Sequence, residues 1–141
     1  MDQLITYLKI QFDRPRTGAL FGTGAVLMAI GLIIGISDNP PGIGLTYLGL
    51  IFTGFSMVHH WEKARDYGTM LAISVISFPV MVLIHNIFDT INDQIGTVPV
   101  INQLLGGIAV IAFVLAVLVA PAVIVVSIFG GVFHLVKKHV T

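Results

Sequence analysis

The chain contains no cysteine. Disulfides, cysteine-ligated zinc, iron–sulfur clusters and thiol nucleophiles are therefore excluded. Charge is almost as scarce: Asp, Glu, Lys and Arg make up 10% of the 141 residues, against about 25% in an ordinary soluble domain. With 56% hydrophobic residues and a mean hydropathy of +0.98, the chain lacks the polar groups to cover a water-facing surface. Disorder is excluded on the same ground, because disordered chains are polar and charged. Seven basic residues balance seven acidic ones, so there is no basic field to hold nucleic acid. Catalytic signatures are missing as well. There is no G-x-x-x-x-G-K-[ST] phosphate loop and no H-E-x-x-H zinc helix. Ser56, Ser74, Ser77 and Ser127 have no acid–base pair in evident reach, and no enzymatic activity is expected.

What the chain does have is long apolar runs. A helix needs about 20 apolar residues to cross the hydrocarbon core. Four such spans are expected, at about 18–37, 43–60, 69–90 and 104–136. The turn Asp38-Asn39-Pro40-Pro41-Gly42 separates the first two, and the cluster Trp61-Glu62-Lys63-Ala64-Arg65-Asp66 separates the second from the third. The fourth run contains Pro121. At 1.5 Å per residue it is roughly 50 Å long, more than the hydrocarbon core, so it must tilt, kink or protrude. A β-barrel would alternate apolar and polar residues. Ile108–Val119 is apolar at nearly every position. The predicted fold is an all-α, multi-pass membrane protein, a single membrane domain with four transmembrane helices in a bundle. No cleavable leader is expected, because the first apolar run is 20 residues long and follows a polar segment. Within 1–14, Leu4, Ile5, Leu8 and Phe12 share one helical face and Asp2, Thr6, Lys9 and Asp13 the other. That pattern predicts a short amphipathic helix lying in the membrane interface or docking a partner.

Every lysine and arginine falls on one side of such a topology. Lys9, Arg14 and Arg16 precede span one, Lys63 and Arg65 follow span two, and Lys137 and Lys138 follow span four. The positive-inside rule makes that side the cytoplasm, and places both termini there, in a cytoplasmic (inner) membrane. Trp61 and Tyr67 are expected at the inner boundary and Tyr47 near the outer one, as aromatic belts.

Lipid gives helices no hydrophobic reason to associate, so small residues mark the contacts. Candidate contact residues are Gly18 and Gly22, with Ala25 and Ala29, on one stripe of span one, and Gly31 and Gly35, with Gly24, on a second. Span four contributes Ala112, Ala116 and Ala120. Span two aligns Thr46, Gly49, Thr53, Ser56 and His60, and span three aligns Ser74, Ser77, Met81 and His85.

The candidate chemistry is histidine chemistry. His85 lies inside span three with Asp89 one turn on and Asp93 beyond. Ionisable residues at such depths mark proton relays or ion sites. His60 and His134, on different helices near the cytoplasmic end, are candidate haem or metal ligands. Counted from the span centres, they lie roughly 14 and 22 Å from the midplane, a mismatch of roughly 8 Å. No cofactor is predicted outright, and a b-type haem is the alternative these two histidines allow. The first expected function is a small non-catalytic subunit of a larger membrane complex, with the lipid bilayer and other membrane subunits as partners. The alternatives are a homo-oligomeric ion or proton pathway through His85 and a b-haem-binding protein.

Overall fold

In a computed structural model, residues 15–36, 39–95 and 99–140 are described, with the backbone alone for Ile95 and 138–140. The expected interfacial helix over 1–14 lies outside the described residues. Helix α1 is Pro15–Ile34, α2 is Pro40–Val58 and α3 is Ala64–Ile95. Helix α4, Pro99–Val114, runs through a π-helical turn at Leu115–Val119 into α5, Ala120–Val140. Four helices are long and apolar enough to cross a membrane: α1, α2, Ala64–Gln94 of α3, and Pro99–Lys137 of the α4–α5 rod.

Proline and glycine set the boundaries. Pro15 opens α1 and Pro40-Pro41 opens α2, since the first turn of a helix has no use for an N–H. Gly35 ends α1. Its φ of +97° is a left-handed conformation that suits glycine, and its N–H returns to the Gly31 carbonyl at 3.0 Å. The residue expected on the Gly31–Gly35 stripe is thus the stop of the helix. Asn39 closes the turn from the other side, its Nδ2 donating to the Ile34 carbonyl at 3.0 Å.

Helices α1 and α2 form an antiparallel pair built on glycine. A Cβ at Gly24 would lie 2.7 Å from the Gly49 carbonyl, and one at Gly31 would lie 2.8 Å from the Gly42 carbonyl. The relation is reciprocal at Gly49, whose Cβ would meet the Gly24 carbonyl at 2.7 Å. The buried residues Thr17, Gly24 and Gly31 on α1 recur every seven residues, as do Gly42, Gly49 and Ser56 on α2. Such a repeat keeps one seam facing its partner. Backbones this close gain dispersion and Cα–H···O contacts. Gly18 and Gly22 are on another face, exposed, with nothing within 4 Å of a Cβ at either.

The remaining contacts run in a row. Helix α2 packs on α5, α5 on α3, and α3 on α4, while α1 rests on α2. Ala109, Ala112, Ala116 and Ala120 are all buried along the α4–α5 rod. Gly130 admits the ring of Tyr67, which a Cβ would strike at 2.2 Å. The Tyr67 hydroxyl donates to the Val58 carbonyl at 2.7 Å, so this tyrosine is a buried brace between α2 and α3 and not part of a belt. Three hydroxyls of the polar stripes bond within their own helices. Thr46 donates to Gly42, Ser74 to Met70 and Ser127 to Val123, each four residues back on its own helix. In an apolar medium that satisfies the hydroxyl and leaves a small residue to pack.

Pro121 explains the π-helical turn. It has no N–H to give the preceding turn. The Ala120 N–H reaches back five residues to the Leu115 carbonyl. The Val117 carbonyl, four residues before the proline, accepts a short hydrogen bond from the Tyr47 hydroxyl of α2. Tyr47 is therefore placed at mid-rod, not at an outer belt.

Two stability predictions follow from this packing. Gly31→Ala and Gly49→Ala should each lower stability by about 1–3 kcal/mol through overpacking, while Gly18→Ala and Gly22→Ala should lose nothing. Denaturation of the detergent-solubilised protein followed by circular dichroism reads both, and equal losses at the two pairs would refute the seam. Tyr47→Phe leaves the Val117 carbonyl unpaired and should destabilise by about 1–3 kcal/mol. In Pro121→Ala, whose backbone N–H can serve the same turn, the further loss from Tyr47→Phe should be smaller.

Candidate functional site

Two places hold the histidines. The first is the α3–α4 contact. His85 projects from α3 onto the Ala109 carbonyl of α4, its Nδ1 at 3.0 Å. A carbonyl only accepts, so Nδ1 carries the proton in this contact. The ring also leans on Phe113, with centroids 5.2 Å apart. Ala109 is 1% exposed, so its small side chain lets the imidazole approach the backbone. Asp89 and Asp93, the proposed partners in a relay, are both exposed on α3. His85 is thus committed through Nδ1 to joining two helices.

The second place is the end of the helices that carries Lys63, Arg65 and Lys137. Here the end of α2, the loop into α3, and α5 enclose a cavity of about 510 Å³. Phe55, Trp61, Tyr67, Phe129 and Phe133 supply aromatic walls. Trp61 stacks edge-on against Tyr67 at 5.3 Å, and the Val58 bond holds the tyrosine ring in place. Polar groups converge from the rim: His59, His60, Glu62, His134 and Lys137. An apolar pocket with a few convergent polar groups is the usual form of a ligand site.

The three imidazoles there are not equivalent. His59 faces the Ser56 carbonyl through Nδ1 at 3.1 Å and Thr17 Oγ1 through Nε2 at 3.4 Å. With the proton on Nδ1, Thr17 donates to Nε2, so both nitrogens are used in tying the start of α1 to the end of α2. His60 meets His59 edge-on at 5.7 Å. His134 comes from α5, one turn before Lys137. Among the described residues, no three His, Asp or Glu side chains are arranged to hold a bare metal ion.

The structure brings His60 and His134 to one cavity and keeps His85, Asp89 and Asp93 apart from it. Gly31 lies in the α1–α2 seam, and Ala112, Ala116 and Ala120 are buried in the rod. The aromatic walls were not singled out from sequence as a group. Phe129 and Phe133 are spaced one turn apart, and that pattern is indistinguishable from a lipid-facing stripe. The chain matches no protein family, no curated protein and no solved structure.

If His85 is a structural tie, His85→Ala should lower stability by about 1–3 kcal/mol by stranding the polar contact, and Asp89→Asn should leave it unchanged. Thermal unfolding of both variants tests this; a relay built on both residues would need neither asymmetry nor a stability loss.

Proposed function

We propose that this chain is a small non-catalytic subunit of a larger integral membrane complex, set in the cytoplasmic membrane with both termini on the cytoplasmic side. The observation that carries the reading is the open row of helices. Helix α1 rests on α2 and leaves Gly18 and Gly22 facing outward with empty space beside them. The largest fully buried side chains are Val126, Thr17 and Ser56, so the four spanning helices enclose no large core of their own. Of the described side chains of α3, Tyr67 and Ser74 alone are buried. Partner chains laid against the row would complete the bundle that it leaves open. Small residues on an outer face are what close helix approach in a membrane requires. The one-sided placement of all seven basic residues supports the orientation. In this reading the 1–14 segment lies in the cytoplasmic interface or docks a partner.

Native mass spectrometry after mild extraction from the source membrane tests the proposal. Large unlike chains bound to this one are expected, and Gly22→Leu should release them without unfolding the chain. A ladder of 15.2 kDa multiples with no other protein would instead favour self-assembly, the arrangement an ion pathway through His85 requires.

A further inference from the structure

We propose that the cavity between the end of α2 and α5 binds a b-type haem, with His60 and His134 as the two axial ligands of the iron. Haem is a flat apolar plate with two carboxylates along one edge. The cavity offers a complement to each part. Phe55, Phe129 and Phe133 give apolar and aromatic surface, and Lys137 supplies a cation at the rim one turn beyond His134. The volume of about 510 Å³ falls within the range of small-molecule sites. Two imidazoles, one from the turn after α2 and one from α5, are the protein's part of such a site.

The depth mismatch expected from sequence is removed by the observed register. Gly54 of α2 lies level with Val126 of α5, where a Cβ would meet the valine at 3.0 Å. The two helices run the same way, since Tyr47 meets Val117 further back along both. His60 is six residues beyond Gly54 and His134 eight beyond Val126. His60 lies in the turn that follows α2 and His134 within α5, and both line the one cavity. The span-centre count failed because α2 ends at Val58 and the α4–α5 rod, far longer than α2, is not centred against it.

Two other histidines are engaged elsewhere. His59 uses both nitrogens within the protein, and His85 sits on the α3–α4 contact. A metal-bound imidazole keeps one nitrogen for a hydrogen bond within the protein while the other takes the metal, so an existing contact at His60 is compatible with ligation. Of the three imidazoles that line the cavity, His59 is tied to Ser56 and Thr17, and a bis-imidazole haem would take the other two. A phospholipid would use Lys137 and the aromatic walls but has no need of paired imidazoles. The inference does not depend on the subunit reading, because the chain alone contains both ligands.

The test is titration of the purified full-length chain, in detergent or lipid nanodiscs, with ferric protoporphyrin IX. The expected result is saturation at one haem per chain with the Soret and visible bands of low-spin, bis-imidazole iron. His60→Ala and His134→Ala should each abolish the low-spin bands and weaken binding by about tenfold or more, and added imidazole should restore the low-spin spectrum in both. Lys137→Gln should weaken binding without moving the bands. Circular dichroism confirms that each variant is folded. The same spectrum and affinity in the His60→Ala, His134→Ala double variant would show adventitious binding and overturn the proposal. Failure of the wild-type chain to saturate, or a phospholipid retained in place of haem, would also overturn it.

Discussion

A helix inside a bilayer gains nothing by leaving lipid for another helix unless the two come closer than lipid can. That constraint governs this molecule. At Gly24, Gly31, Gly42 and Gly49 the backbones of α1 and α2 approach until no Cβ would fit between them. On the α4–α5 rod the same role falls to alanines, with Gly130 making room for Tyr67. Thr46, Ser74 and Ser127 conform to it too, because bonding back to their own helix removes the need for a partner across the contact. Large apolar side chains such as Leu32, Ile33, Ile76 and Val110 are exposed. The chain is inside-out relative to a soluble domain, with its small residues within and its bulk at the surface.

Close packing fixes register, and register decides what the ends of the helices can do. Tyr47 on Val117 and Gly54 against Val126 are two rungs between the same pair of helices. The first rung exists because Pro121 frees a carbonyl that, in an apolar medium, must find a donor. The π-helical turn lets the rod pass the proline without breaking. Continued along the same line, the rungs bring His60 and His134 to one cavity. A feature in the middle of the rod thereby determines the geometry of a cavity more than two helical turns away.

The four spans and the one-sided basic charge were legible in sequence, because a 20-residue apolar run with no charge has few alternatives. Helix boundaries were less so. The expected start of span one at Gly18 ignored Pro15 as a first helical residue, and Gly35 carried the small-residue pattern of a contact while its conformation makes it a stop. Of two glycine stripes on one helix, sequence could not say which faces the neighbour. The answer lies in the heptad spacing that Gly24 and Gly31 share with Gly42 and Gly49 on α2, and it becomes visible only when both helices are read together. Tyr47 was misplaced for a related reason. Its partner is a backbone carbonyl, and a carbonyl has no sequence signature except the proline four residues on.

The histidines illustrate a further physical point. His85 was the most conspicuous in sequence because it lies within an apolar span, and ionisable groups there are rare. Yet depth is also what commits it: with no water to bond, its Nδ1 proton must go to protein, and Ala109 accepts it. His59 is used up in the same way by Ser56 and Thr17. His60 stands in the turn that follows α2, and His134 lies within α5. At this end of the helices aromatic side chains and imidazoles meet in one cavity, Phe55 and Trp61 beside His60 and His134.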